Sequence, residues 1–541
     1  MVGHEESREL VRAVARNALG FEDLRPGQGE AAAAVVAGRD VLAVMPTGAG
    51  KSAIYQIAGV VIHGVTVVVS PLIALQRDQV ASIGGRLGGA AQVNSSMSES
   101  RRRETFEDLN DGEVEFIFVA PEQLANEETL EQITDAGPSL VVVDEAHCIS
   151  SWGHDFRPEY LRLGEVLEAL GHPQVLALTA TAAPPVRREI IEQLGMRDPV
   201  EVVRGFFRPN IHLAVDTSAD ADRARDALLA LVTSLQGTGI VYVATRRQAE
   251  ELADELIAGG RDAAAYHAGL AARRRDEVHE RFLDEEPVIV VATVAFGMGI
   301  DVAHVRFVIH ADPPESLDAY YQELGRAGRD GEPARAVLFR SLADAGGRRF
   351  FGGTAELPDG VLEQLASAVQ SALEPLPTDI LAEILAVPRA RLTVALDLLQ
   401  KVGAVEVDGE GAVRSVEGGP TPAEAAKAAA EVHDVYRTAE RTRGEMMLQY
   451  MATESCRWRT ILGYFGQPAE ENCQRCDNCD KGVASVGHQP FALDARVSHE
   501  LWGEGQVIDH DGDTVTVLFD EGGYRTLSVE LVTEGELLRP A

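Results

Sequence analysis

Cysteine, lysine and uninterrupted apolar stretches are all scarce in this chain of 541 residues. Of five cysteines, four crowd between Cys456 and Cys479 while Cys148 stands alone. That distribution excludes the disulfide framework of a small secreted scaffold and points to metal instead. No apolar run approaches the roughly 18 residues that read as a membrane-spanning helix, and the opening MVGHEESREL is too charged for a secretory leader. A cytoplasmic protein without a membrane partner is therefore expected. Basic charge is also in deficit: 49 Lys and Arg face 85 Asp and Glu, a formal net charge of −36. The overall balance shows no polyanion-binding footprint, so any nucleic-acid track has to be local. Lysine is the rarest of the charged residues, at Lys51, Lys401, Lys427 and Lys481 only. Its single occurrence in the first 400 residues lies in a phosphate-loop pattern, where a compact point charge suits phosphate oxygens.

What is present alternates apolar strands with charged helices over a length that calls for several domains. Asp40–Val44 predicts a short buried strand, Met45–Ser52 (MPTGAGKS) a loop, and Ala53–Val61 an apolar helix. Such a loop aims backbone N–H groups at phosphates, here around Thr47, Gly48 and Gly50. Lys51 then reaches the terminal phosphates and Ser52 can ligate Mg²⁺. The general pattern wants glycine where Met45 stands. About 90 residues on, Leu140–Val143 predicts a strand that ends in Asp144-Glu145-Ala146-His147. Asp144 can hold Mg²⁺ there, and Glu145 can orient and deprotonate an attacking water.

PTGAGKS, DEAH and Thr179-Ala180-Thr181 resemble motifs I, II and III of superfamily 2 helicases, and finer details resemble the RecQ family. FEDLRPGQ, with Phe21, Arg25 and Gln28, is similar to the RecQ motif 0; the resemblance implies adenine stacking on the aromatic and base-edge recognition by Gln28. Ser70–Leu75 resembles motif Ia and Ala120-Pro121-Glu122 motif Ib, both implied to line a DNA track. Cys148–Pro158 resembles the aromatic-rich loop of RecQ enzymes. Within it Trp152 and Phe156 offer flat faces to unpaired bases, worth roughly 1–3 kcal/mol per base. His154 lies between them, and Arg157 can meet phosphate or stack. Cys148 itself reads as a small buried residue.

From about residue 211 a second parallel α/β unit is predicted, with strands at Gly239–Val243, Ala263–Tyr266, Val288–Ala292 and Val305–His310 and a helix at Arg247–Ile257. It has no phosphate loop of its own, which fits a partner half that completes an ATP site across a cleft. Thr293–Asp301 resembles motif V, implying nucleotide contacts for Gly299 and Asp301. Gln322–Asp330 resembles motif VI; on a helix Arg326 and Arg329 would share a face, both are expected as catalytic residues that meet ATP across the cleft from Lys51, and Arg329 matches the family's arginine finger. The resemblance also implies 3′ to 5′ movement on single-stranded DNA.

Beyond the motor, Cys456, Cys473, Cys476 and Cys479 follow the spacing C-x16-C-x2-C-x2-C. Four thiolates satisfy tetrahedral Zn²⁺ and leave no position for water, so the site should be structural. With YFGQ before it and CDNC at its end, the stretch resembles the RecQ zinc-binding region. Arg457 and Arg459 beside it read as DNA contacts or as solvated arginines. About 100 residues intervene between motor and zinc, unlike most of the family. Helices at Thr378–Ala386 and Arg389–Val402, then a hairpin of Ala404–Val407 with Ala412–Val416, predict a winged-helix-like unit that touches DNA or only packs. Ala423–Met451 reads as a bracing helix. After the zinc site, Arg496–Ser498, Gly505–Ile508, Val515–Phe519 and Tyr524–Leu527 predict a small SH3- or Tudor-like barrel. Twelve acidic and four basic residues from Asp480 onward favour a protein partner for it over DNA.

The sequence thus predicts an α/β chain of five parts. Two tandem RecA-like domains, 1–210 and 211–345, precede a winged-helix-like region, 346–420, a zinc-binding module, 421–482, and a β-barrel, 483–541. An ATP-dependent DNA helicase that uses Mg²⁺ and Zn²⁺ on single-stranded and on tailed or forked duplex DNA is expected. An RNA helicase, or a DNA-stimulated ATPase that anneals or binds strands with little unwinding, are the alternatives.

Overall fold

The computed structural model describes residues 4–71, 73–84, 89–94, 97–150, 157–216, 221–284, 286–297, 302–339, 357–372, 374–407, 411–416, 418–467, 469, 471–484, 490–493, 495–520 and 522–541. Seven parallel strands build the first sheet: β1 (Val41–Val44), β2 (Thr66–Val69), β3 (Ala90–Val93), β4 (Phe116–Val119), β5 (Leu140–Val143), β6 (Gln174–Thr179) and β7 (Val200–Val203). Their order is β3-β4-β2-β5-β6-β1-β7. Runs such as TVVV and LVVV are buried on both faces, as parallel strands between helical layers must be. β6 lies between β5 and β1, with Val44 beside Thr179 and Val143 beside Ala177. The loops after β1, β5 and β6 therefore leave the sheet at one carboxyl edge, where open α/β sheets collect their ligands.

The second sheet holds β8 (Ile211–Asp216), β9 (Thr238–Tyr242), β10 (Ala263–Tyr266), β11 (Ile289–Ala292), β12 (Val305–His310) and β13 (Ala334–Phe339) in the order β10-β11-β9-β12-β13-β8, all parallel. β8 and β13 were not anticipated from the sequence. β8 alternates buried and half-buried residues, as a strand with one face less covered does, and its outer edge pairs with the cysteine-bearing segment and not with a further strand. Leu213 N donates to Arg475 O at 3.1 Å and Val215 N to the Asp477 carboxylate at 3.3 Å. An edge strand that would otherwise offer unpaired backbone is covered.

Three helices, Val361–Ser371, Thr378–Leu385 and Arg389–Lys401, surround a small antiparallel sheet of β14 (Leu376–Pro377), β15 (Val405–Val407) and β16 (Ala412–Ser415), ordered β14-β16-β15. A 31-residue helix, Pro422–Ala452, follows. Its start is fixed by Pro422 in the first turn and by a reciprocal cap between Thr421 and Glu424. Last come β17 (Arg496–His499), β18 (Gly503–Asp511), β19 (Thr514–Phe519), β20 (Gly523–Ser528) and β21 (Leu538–Pro540), antiparallel in the order β20-β19-β18-β17-β21.

One contiguous apolar core runs from the first lobe (Val143) through the second (Leu338) and the cysteine region (Trp458) to the last sheet (Tyr524). Phe206, in the link between the lobes, stacks on Phe465 at 4.4 Å and 5°, and Tyr321 lies 5.3 Å from Phe206 and 5.0 Å from Phe465. Link, second lobe and cysteine region are thus packed as one interior. Among the described residues no helix is long and apolar enough to cross a membrane.

Candidate nucleotide cleft and cysteine cluster

The phosphate loop lies where its sequence placed it, between β1 and the helix Ser52–Val61. Gly48 adopts φ +79°, a left-handed conformation that penalises any side chain. Gln28 ties down the loop by donating from Nε2 to Ala49 O at 2.9 Å and to Gly50 O at 2.8 Å, and its Oε1 accepts from Arg25 N at 2.8 Å. The Arg25 guanidinium donates to Gly48 O. Lys51 Nζ donates to Met45 O at 3.2 Å. Phe21, 39% exposed, borders a cavity of about 720 Å³ that Arg25 also lines, together with Arg8, Arg12 and Arg16 from the first helix. Those three arginines carried no motif and were missed; their i, i+4 spacing on one helix was the available signal.

Asp144 and Glu145 follow β5. Burial first, and then the neighbouring Glu145 carboxylate, push the Asp144 carboxyl up to about 6, against the opposing pull of Lys51. Glu145 occupies the left-handed region at φ +49°, a strained backbone for a non-glycine residue beside a reactive site. His147 Nδ1 stands 2.9 Å from Thr179 Oγ1 and 3.3 Å from Glu145 Oε2. Burial opposes a charge on His147, but Cys148 and Glu145 raise its pKa well above the ordinary value. Thr179 in turn donates to Thr181 O at 3.0 Å. DEAH and the Thr-Ala-Thr segment are therefore joined through one histidine, a link the sequence reading did not assign. Cys148 is fully buried, as expected.

The second lobe closes on this edge. Adding a Cβ to Gly48 would bring it to 3.2 Å from both Cγ and Cδ of Arg329. The expectation that Arg326 and Arg329 share a helix face is corrected: the helix Leu317–Leu324 ends at Gly325, and both arginines lie in the turns that follow. Gly325 and Gly328, the latter at φ +55°, break the helix there. Separate directions result. Arg326 is buried near Gly297 and Tyr242, whereas Arg329 reaches the phosphate loop. Trp152, His154 and Phe156 of the aromatic loop, and Gly299 and Asp301 of the segment resembling motif V, lie outside the described residues. Arg157, near the end of that loop, is described and half-buried.

In the cysteine region, the ligand atoms of Cys456, Cys473, Cys476 and Cys479 lie within 4.8 Å of one another. Tetrahedral Zn²⁺ with Zn–S bonds of about 2.3 Å needs S···S edges of about 3.8 Å. Cys473 and Cys479 stand 3.9 Å apart, Cys476 and Cys479 3.4 Å, so the cage fits. Backbone N–H groups of Cys473 and Arg475 donate to Cys456 Sγ and Cys473 Sγ at 3.2 Å each, an arrangement suited to thiolates. Arg457 and Arg459 are neither solvated nor free to meet DNA. Arg457 forms a buried pair with Asp477 and donates to Tyr450 O at 2.9 Å, and Arg459 donates to His510 O at 3.2 Å.

Comparison with known proteins follows this geometry. The family described as DEAD/DEAH box helicase matches residues 25–189, the helicase conserved C-terminal domain matches 223–331, and RecQ zinc-binding matches 424–480. A Bacillus subtilis protein named ATP-dependent DNA helicase RecQ is 33% identical over 492 residues, covering 90% of this chain and 68% of that protein. Its Synechocystis namesake is 33% identical over 491 residues, covering 87% and 98%. The probable ATP-dependent DNA helicase RecS of Bacillus subtilis is 40% identical over 60% of this chain and 66% of its own length. For the Pasteurella multocida RecQ the share of the relative covered is 51%. Among solved structures, the Mycobacterium smegmatis helicase Lhr superposes with a TM-score of 0.50 over 80% of this chain and 61% of that one, at 22% identity, a likeness of fold alone. Matches to both helicase domains and to the RecQ zinc-binding region, with relatives 33% identical along 87–90% of this chain, one of them covered over 98% of its own length, establish that the chain belongs to the RecQ helicase family.

Proposed function

We propose that the chain is an ATP-dependent DNA helicase that moves 3′ to 5′ on single-stranded DNA and unwinds tailed or forked duplexes in repair or recombination. The observation that carries this reading is the approach of Arg329, on the second lobe, to Gly48 of the phosphate loop on the first. ATP held there meets groups from both lobes, so hydrolysis can open and close the cleft and alternate two grips on a strand. Relatives that align along most of this chain bear the name ATP-dependent DNA helicase.

In this account Thr47, Gly48 and Gly50 cradle the phosphates, Lys51 reaches the terminal ones, and Phe21, Arg25 and Gln28 receive the base. Ser52 and Asp144 offer the hard oxygen donors that Mg²⁺ prefers, and the ion when bound neutralises phosphate charge. Glu145, held by its strained backbone, orients the attacking water and takes its proton. Arg329, with Arg326 beside it in the same turn, stabilises charge on the terminal phosphate from the second lobe. Gly299 and Asp301 complete the nucleotide side, and Trp152, His154, Phe156 and Arg157 grip the DNA.

The division at 210, 345, 420 and 482 belongs to the same proposal. Helix, strand, two helices and a two-stranded hairpin in residues 357–416 support a winged-helix reading, and the five-stranded last sheet supports a small barrel. One face of that sheet is covered by the chain's own helices, with Tyr524 stacked on Tyr464 at 5.2 Å and Ser455 donating to Asp511 at 2.6 Å. For a protein partner, Leu501, in the turn between β17 and β18, and Leu531, on the helix Val529–Glu534, offer apolar side chains that are 80% and 64% exposed.

Unwinding of a forked DNA duplex by wild type and by Lys51→Ala, beside ATPase stimulation by single-stranded DNA and RNA of equal length, tests the function. ATP-dependent strand separation that Lys51→Ala loses, with DNA the stronger activator, is the expected result. Turnover without separation favours the annealing scaffold, and stronger stimulation by RNA favours the RNA helicase.

A further inference from the structure

The turn that carries Arg326 and Arg329 follows a helix end, where backbone carbonyls have lost their helical partners. Residues of the link between the lobes supply the missing donors. Arg208 NH1 donates to Gly325 O at 3.3 Å, and its NH2 donates to Ala327 O at 3.0 Å and Gly328 O at 2.8 Å. Asn210 Nδ2 donates to Gly328 O at 2.7 Å and to Glu332 O at 3.0 Å, while Asn210 O accepts from Ala334 N at 2.9 Å. The Asn210 amide also fills the side of Gly328 on which a Cβ would lie. One planar fork and one amide thus fix the carbonyls on either side of Arg326 and just before Arg329.

The link is itself immobilised from both directions. Phe206 N donates to Gln467 Oε1 at 3.3 Å, Phe206 O accepts from Tyr321 OH at 2.9 Å, and its ring stacks on Phe465. Arg187 of the first lobe donates to Phe465 O at 3.3 Å. Arg208 and Asn210 therefore project from a segment held by the helix that leads into the arginine turn and by the cysteine region, which is itself tied to the first lobe through Arg187.

We infer that Arg208 and Asn210 are positioning residues for ATP hydrolysis, which set the aim of Arg329 at the phosphate loop without themselves meeting the reacting atoms. The inference rests on the reading of Arg329 as the residue that meets the terminal phosphate. It requires geometry and not charge. A lysine at 208 keeps the charge but lacks the fork that spans three carbonyls, so it restores little. Misplacing a reacting group by about 1 Å costs on the order of 100-fold in rate.

The test uses the full chain and measures DNA-stimulated kcat and KM, affinity for a non-hydrolysable ATP analogue, and melting temperature. The variants are Arg208→Ala, Arg208→Lys, Asn210→Ala, Arg329→Ala and the double variant Arg208→Ala/Arg329→Ala. Arg329→Ala is expected to lower kcat by about 10³-fold or more. Arg208→Ala and Arg208→Lys should each lower kcat by roughly 10- to 100-fold with analogue affinity nearly unchanged. In the Arg329→Ala background, Arg208→Ala should change kcat less than about 2-fold, because residues that act as a unit are not additive. Equal losses with and without Arg329, or full rescue by lysine, overturn the inference. Normal turnover by Arg329→Ala sinks the underlying reading instead, whatever Arg208 does. Should Arg208→Ala fail to fold, Asn210→Ala carries the same comparison, and an unchanged kcat in that variant counts against the proposal.

Discussion

Gly48→Ala probes one contact between the two lobes, that of the phosphate loop with Arg329. The substitution forces alanine to φ +79°, which costs roughly 1–2 kcal/mol from the backbone alone. It also places a Cβ at 3.2 Å from Arg329 Cγ and Cδ, closer than ordinary van der Waals contact, so the arginine or the loop has to yield by a few tenths of an ångström. The backbone penalty does not depend on residue 329, whereas the crowding does. A cycle of Gly48→Ala, Arg329→Ala and the double variant separates the two, and a coupling of about 0.5–1 kcal/mol is expected, with the double variant more stable than the sum of the singles. Urea unfolding of the nucleotide-free chain, followed by circular dichroism and by tryptophan fluorescence, supplies the free energies. Additivity to within about 0.3 kcal/mol would refute the reasoning, since it would mean that Arg329 does not rest against the phosphate loop in solution.

Other substitutions probe the remaining joints. Phe465→Ala empties a fully buried site between Phe206 and Tyr321 and should cost roughly 3–5 kcal/mol in urea unfolding; a loss below about 1 kcal/mol contradicts the packing described. Cys476→Ser should lower bound zinc and speed hydrogen exchange at Leu213 and Val215, whose amides bond to the cysteine segment; continued protection without zinc speaks against metal-dependent cover of β8. Asp509 is buried, and burial lifts its carboxyl to about 7 against the pull of Arg459. A folded value above the unfolded one of about 3.9 means that ionisation weakens the fold progressively from about pH 4 and fully above about pH 7. Asp509→Asn should therefore stabilise the chain at pH 8, by up to roughly 4 kcal/mol, and hardly at pH 4; equal effects at both values would show that the carboxyl is not titrating as described.

Much of the first lobe was legible because its chemistry is local in sequence. Strand, phosphate loop and helix lie within Val41–Val61, and the DEAH carboxylates directly end β5. The four cysteines were equally plain, since spacing alone implies a tetrahedral cage. Contacts between distant segments were not. β8 looked unremarkable because half its edge is completed by Arg475 and Asp477, some 260 residues away. Arg457 and Arg459 resembled surface arginines because nothing nearby in sequence announces Asp477 or His510 as partners. The turn after Leu324 was read as helix from the three-residue spacing of its arginines, although Gly325 and Gly328 were visible as breakers. Arg208 carried no motif of its own, and its partners are the carbonyls of a turn more than 110 residues on.

Phosphate release from radiolabelled ATP by the full chain, with saturating single-stranded DNA, tests the shared cleft most directly when Lys51→Ala and Arg329→Ala are set beside wild type. A nucleotide gripped from both lobes predicts that either substitution abolishes most turnover, although the arginine belongs to a lobe without any phosphate loop. Undiminished release by Arg329→Ala would contradict it.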